Sequence, residues 1–205
     1  MRTDLPLLSG SLLLYVCGRF EYFVRELIVA LADDIAANVQ NYSDLPERLR
    51  TELELRTLEV AQNPRKYGYE PNHARQCLVL HVSNLSATSG PTSASIAISS
   101  RVLTITDANM NSRMMADLFK RVDIVDLWSD LGKQAPLKAK LGKASDKECT
   151  GEAVSLLDEM MRDRNSIAHP SGSFSFPDPD QVLESVDFLK TLSVVLVDVV
   201  QVPRK

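Results

Sequence analysis

AVSLLDEMMRDRNSIAHP, residues 153–170, decides how this chain is to be read. Wound at about 100° per residue, Ala153, Leu156, Leu157, Met160, Met161, Ile167 and Ala168 fall on one apolar stripe, the pattern of a helix with one face in a core. Arg164 lies inside that stripe, near its centre. A guanidinium there is either paired in the core or lines a cleft that the stripe helps to form. Asn165 and His169 are four apart at one edge of the stripe, so they are neighbours on a helix. Pro170 disfavours helical geometry at His169, and the helix is predicted to stop there. A histidine at such an end can serve as a general acid or base. On residue types alone, the commoner reading is a structural arginine paired with a buried carboxylate, and a histidine that is only a polar helix end.

Outward from that stretch, the same periodicity recurs. Leu12, Tyr15, Val16, Phe20, Phe23, Val24, Leu27, Ile28 and Leu31 predict a long first helix over about residues 5–38, with Pro6 in its first turn. Ser43 or Asp44 opens a second helix that runs to about Gln62, where Asn63 and Pro64 end it. PRKYGYEP (64–71) reads as a loop, and a third helix is expected from His73 to about Leu85. SATSGPTSAS (86–95) is non-helical, and IAISSRVLTITDAN (96–109) alternates enough for a short extended segment. Asn109 or Asn111 can cap a helix through Val122, and VDLWSDLG (125–132) is one more short turn. QAPLKAKLGKASDK (134–147) reads as a lysine-rich connector. The signature helix follows, from about Thr150 to His169. Asp178 as cap and Pro179 at the first position then open a last helix reaching about Val202.

The expectation is an all-α protein: one helical domain over residues 1–205, with four long helices in a bundle and residues 86–147 as an irregular elaboration carrying extra short helices. With 205 residues, 44% hydrophobic and 24% charged, the chain can build a real core. A net charge of −4 rules out attraction to nucleic acid by the protein as a whole, so any such contact needs a local basic patch. No run of eighteen apolar residues predicts a membrane span. Cys17, Cys77 and Cys149, an odd and scattered set, fit reduced thiols in a cytoplasmic protein.

RDRNSIAHP (162–170) resembles the Arg-x(4 to 6)-His signature of HEPN domains, here Arg164 to His169 with Asn165 after the arginine. Arg162 also fits the spacing, but Arg164 lies on the stripe and is followed by Asn. GRFEYFVRELIVAL (18–31) is similar to the aromatic-acidic opening helix of the RiboL-PSP-associated HEPN group, and NMNSRMMADLFKRVDIVDLW (109–128) to its Asn-rich lead-in, Leu-Phe helix and Trp. The resemblance spans most of the chain. It implies a HEPN-like helical bundle, commonly paired, and a metal-independent ribonuclease of toxin or anti-phage systems with no cofactor. The implied catalytic residues are Arg164, Asn165 and His169. His169 would move the proton of the RNA 2′-hydroxyl, Arg164 would hold the phosphate oxygens, and Asn165 would orient one of them or brace the helix end.

Five residues along an ideal helix turn by roughly 140°, so Arg164 and His169 of one chain diverge. Either the helix end loosens, or the site is composite across a homodimer with this helix at its interface. Lys133, Lys138, Lys140 and Lys143, with Lys147, are the candidate RNA-binding residues, set against a solvated linker as the alternative. Trp128 stands alone, and Tyr67 and Tyr69 beside Arg65 and Lys66 are a faint stacking hint. His73, Cys77 and His81 share one helical stripe. They climb it by roughly 12 Å, too far for all three to bind one ion, and no metal site is expected. No phosphate loop, nucleophile elbow or HExxH motif is found. The leading expectation is an endoribonuclease acting on tRNA or another structured RNA, with an antitoxin or sensor as a further partner. The alternative is a catalytically idle HEPN module acting in protein–protein interaction.

Overall fold

Among the described residues eight helices form, where apolar spacing and breakers agree along most of the chain. A computed structural model describes residues 4–86, 96–107, 109–169 and 176–201. The expected break beyond Ser86, and Pro170, lie outside the described residues. Within them the chain is all-α, with no strand: α1 (Asp4–Ala37), α2 (Glu47–Gln62), α3 (Pro71–Ser86), α4 (Ser112–Arg121), α5 (Leu127–Gly132), α6 (Ala135–Leu141), α7 (Asp146–Ala168) and α8 (Pro179–Gln201). Three short 3₁₀ turns lie at 42–44, 64–67 and 100–104.

Two compact units share these helices. One comprises residues 1–24, 109–116 and 126–205, the other 25–108 and 117–125. In the first, α5 and α6 pack on both α7 and α8. Leu157 and Met161 of α7, Leu192 and Leu196 of α8, and Leu131 and Leu137 of the short helices are almost fully buried. Each such side chain contributes about 1.5–3 kcal/mol of burial free energy. Gly132 is required where α5 meets α7. A β-carbon there would stand 2.0 Å from Thr150 Oγ1 and 2.7 Å from the Asp146 carbonyl oxygen.

α7 and α8 start on side-chain caps, whereas α2 starts at Glu47 behind Pro46 with no side-chain cap, past the expected Ser43 or Asp44. α7 starts four residues before the expected Thr150, because the Ser145 hydroxyl accepts the Glu148 N–H at 3.2 Å. α8 opens on a reciprocal box: Asp178 Oδ1 accepts from the Gln181 N–H at 2.9 Å, and Gln181 Oε1 accepts from the Asp178 N–H at 3.0 Å. The lysine-rich connector is not irregular throughout. Residues 135–141 form α6, with Pro136 in its first turn and Gly142 at φ 63° closing it in the left-handed region.

In the second unit α2 packs on α3 and on the 100–104 turn. That turn replaces the expected extended segment, and Arg121 explains why. Its guanidinium, 6% exposed, donates from Nη1 to the carbonyls of Leu103 and Ile105 at 2.6 and 2.8 Å. Carbonyls that would have needed a neighbouring strand are satisfied by a side chain instead. Burial, then the nearby Arg56, lowers the Arg121 pKa to about 10.

His81 on α3 gives this unit a pH response. The ring is 7% exposed, Tyr42 Oη lies 3.4 Å from Nδ1, and Nε2 has no partner among the described residues. Burial lowers the imidazole pKa below its usual 6.5, with Glu54 acting the other way. The unfolded chain therefore takes up a proton before the folded one as pH falls. The stability this residue supplies is present above about pH 6.5 and is lost as pH drops through the folded value. The melting temperature is expected to fall between about pH 7 and about pH 5, and to fall less in a His81→Phe variant.

By length and composition α1 is apolar enough to cross a membrane, a test that core helices also pass. Leu13, Cys17, Phe20, Val24, Ile28 and Ala32 form a buried stripe along it, which is the mark of a core helix.

Candidate active site

α7 carries the signature on two faces. Ala153, Leu157, Met160 and Met161 are buried, and Leu156 and Ile167 are half-buried, as the apolar stripe requires. Asp158 and Asn165, seven apart, share the adjoining face, two turns from one another. That face receives the segment 109–112. Asp158 accepts the Ser112 N–H at 2.7 Å on one oxygen and the Ser112 hydroxyl at 2.8 Å on the other. Trp128 Nε1 donates to the Ser112 carbonyl at 2.9 Å, and the Met110 N–H donates to Glu21 of α1 at 3.4 Å. Asn111 Oδ1 accepts the Met114 N–H at 2.8 Å and so caps α4.

These ties leave Asn109 facing Arg164. Arg164 Nη1 donates to Asn109 Oδ1 at 2.9 Å and to Asn165 Oδ1 at 3.1 Å, while Asn109 Nδ2 donates to Asn165 Oδ1 at 2.6 Å. The three side chains close a triangle. All the acceptors are neutral amides: among the described residues no carboxylate lies within ion-pairing distance of Arg164. Its Nε is enclosed and has no acceptor there. Leaving a buried donor unsatisfied costs about 1–3 kcal/mol, a deficit that calls for a purpose. Burial, then Glu21, drives the neighbouring Cys17 thiol up to about 12, with Arg164 pulling the other way, so Cys17 is a packing residue and not a nucleophile.

His169 sits where Pro170 led us to expect, as the residue that ends α7. Its backbone has left the helix (φ −133°, ψ 69°), and its N–H donates to the Asn165 carbonyl at 2.9 Å. The ring is exposed and has no hydrogen-bond partner among the described residues. Arg164 and Asn165 are thus brought together, and His169 is tied to them through the backbone but not through its ring. Arg162 is exposed and outside the triangle. Asn109 was readable only as a possible cap, and Asp158 gave no signal beyond its seven-residue step to Asn165.

Four of the candidate RNA-binding lysines are each matched by a carboxylate. Lys133 lies 3.0 Å from Asp130 and Lys143 3.2 Å from Glu152, while Lys138 pairs with Asp146 and Lys140 with Asp187. Lys147 is exposed and has no such partner among the described residues. The segment therefore presents a balanced surface. Trp128 is occupied by Ser112. In the other unit, Lys66 stands over the Tyr67 ring at 4.8 Å, and Tyr69 meets His73 with ring centroids 5.3 Å apart. His73 faces Tyr69 while His81 faces Tyr42, so the two imidazoles have different neighbours. Among the described residues no three His, Cys, Asp or Glu side chains are grouped to hold a metal ion.

Comparison with curated proteins and with solved structures returns no match. The model of one family does match, over residues 2–201, nearly the whole chain. The chain belongs to that family, RiboL-PSP-HEPN.

Proposed function

We propose that this chain is a metal-independent endoribonuclease of a toxin or anti-phage system, cleaving a structured RNA such as tRNA at a composite site between two copies. HEPN domains are generally RNases. The observation that carries the reading is Arg164: a half-buried cation held in a fixed orientation by two neutral amides, with no counter-ion among the described residues. A purely structural arginine would be expected on a carboxylate. This one keeps its full charge for an anion, and a scissile phosphate supplies one.

The chemistry balances with RNA alone. The 2′-oxygen bonds to the adjacent phosphorus and loses its proton to an imidazole. The bond to the 5′-oxygen breaks, and that oxygen takes a proton from a second imidazole. The products are a 2′,3′-cyclic phosphate and a 5′-hydroxyl. Arg164 stabilises the charge that rises on the non-bridging oxygens, and His169 from each copy moves the protons. Asn165, and now Asn109, hold the guanidinium in place. Lys133, Lys138, Lys140 and Lys143 are proposed to exchange their surface carboxylates for RNA phosphates, because such exposed pairs are worth about 0–1 kcal/mol.

Pairing of two copies has a candidate surface beside the site. Leu5, Leu8, Leu12 and Tyr15 of α1 follow a 3-4-3 spacing and are 50%, 64%, 46% and 65% exposed. A β-carbon at Gly10 would lie 2.5 Å from the Phe176 ring and 3.6 Å from Ile167, so this end of α1 runs against the end of α7. The protein is expected to be a dimer by light scattering at micromolar concentration. Leu8→Glu with Leu12→Glu should yield a folded monomer that no longer cleaves RNA. A wild-type monomer that still cleaves would overturn the composite site.

The decisive experiment incubates purified protein with total RNA in EDTA and maps the new ends. Fragments with cyclic phosphate and 5′-hydroxyl termini are expected. The competing reading, an idle module for protein–protein contact, draws on the absence of any contact between the His169 ring and Arg164 within one chain. It predicts no cleavage under any of these conditions.

A further inference from the structure

A cleft of about 460 Å³ runs along the face of α7 remote from Asn109. One wall is the α7 stripe Glu152, Leu156, Glu159 and Asp163, which spans roughly 16 Å at 1.5 Å per residue. The other wall is α8, with Glu184 and Phe188, and Leu13 of α1 contributes to the floor. Leu13, Met160 and Phe188 are buried there, and Leu156 is half-buried. The cleft therefore has an apolar base and a strongly acidic rim. Glu152 is matched by Lys143 at 3.2 Å, and the lysine at the cleft's end, Lys140, is matched by Asp187. Glu159, Asp163 and Glu184 have no cationic partner within ion-pairing distance among the described residues. Burial, and then the like charge of Glu159, raises the Asp163 pKa, with Arg162 acting the other way, so Glu159 and Asp163 repel one another.

We propose that this cleft is a docking site for a basic amphipathic helix of a partner protein, whose apolar face seats on Leu13, Leu156, Met160 and Phe188 while its cations meet Glu159, Asp163 and Glu184. The occupant follows from complementarity. Glu159, Asp163 and Glu184 leave this part of the rim negative, which selects a basic occupant. An apolar base between two helical walls favours apolar side chains presented at helical spacing, the ridges-into-grooves arrangement of a third helix. Glu159 and Asp163, four apart on α7, match lysines or arginines at the same step on that helix. The proposal does not depend on the nuclease reading.

The test measures binding to the full-length protein of a labelled 14-residue leucine–lysine peptide in amphipathic helical order, by fluorescence anisotropy. Three comparisons accompany it: a scrambled peptide of the same composition, spermidine as competitor, and the combined variant Glu159→Gln, Asp163→Asn, Glu184→Gln. Saturable one-to-one binding is expected, at least tenfold weaker for the variant and for the scrambled peptide, and not displaced by equimolar spermidine. The variant removes like charges, so it should melt no lower than wild type. Leu156→Lys, which places a cation inside the cleft, should weaken binding by a similar factor. Equal affinity for ordered and scrambled peptides would reduce the cleft to a general cation trap and overturn the proposal. So would unchanged binding in both variants, or no saturable binding at all.

Discussion

His169→Ala is expected to lower RNA cleavage by about 10²–10⁴-fold, the usual contribution of one positioned proton carrier, while leaving the melting temperature nearly unchanged. The two halves of that expectation have separate grounds. The stability half rests on placement: the ring is exposed and bonded to nothing among the described residues, and its backbone N–H, which closes the last turn onto Asn165, survives the substitution. Exposed substitutions of this kind usually stay within about 0.5 kcal/mol. The activity half rests on the transesterification, in which a proton must leave the 2′-oxygen and another must reach the leaving oxygen. If two copies share one site, a heterodimer of wild-type and His169→Ala chains should lose nearly all activity when one ring serves as base and the other as acid. It should keep about half if each chain acts alone. A variant that unfolds would instead make His169 a structural residue and leave Arg164 without its proton carrier.

The helices were legible because their determinants are local. Asp178 and Pro179 announced α8, and the spacing from Ala153 to Met161 fixed the buried face of α7 before any coordinates were needed. The errors are instructive in the same terms. QAPLKAKLGKASDK looked irregular because lysines dominate its composition, yet Pro136 and Gly142 bracket a helix whose single buried residue is Leu137. The 96–109 stretch looked extended because β-branched residues favour strands. The decision there is made by Arg121, more than a dozen residues away, which no local pattern announces. The lysines looked like a basic track because sequence shows the charge and not its partner: Asp187 lies 47 residues from Lys140. For the site, Arg164, Asn165 and His169 were visible as a spacing, and the wheel already required Arg164 to be paired or to line a cleft. Its partner Asn109 stands 55 residues earlier and is a single amide in an Asn-rich run, so only the fold could choose it over Asn111.

That choice makes Asn109→Asp the sharpest probe of what Arg164 is for. The carboxylate would accept from the guanidinium at the present distance of 2.9 Å, turning a charge-to-amide contact into a charge-to-charge one. Asn165 can rotate its amide so that its nitrogen donates to the new carboxylate, giving up the bond its oxygen accepts from Arg164 at 3.1 Å. The folded chain should therefore be as stable as wild type or more so, by up to about 1–3 kcal/mol, because a half-buried cation gains a counter-ion. Cleavage should fall by about 10²–10³-fold, the range seen when one stabiliser of transition-state charge is lost, because the phosphate must then compete with a permanent carboxylate for the same cation. Asn109→Ala separates geometry from charge. It removes the brace without neutralising Arg164, so stability should drop by about 1–2 kcal/mol and cleavage by less than in the Asp variant. The pattern to look for is opposite motion: melting temperature held or raised, activity nearly gone. If Asn109→Asp cleaves as well as wild type, Arg164 does not spend its charge on the phosphate, and the triangle it forms with Asn109 and Asn165 is structural.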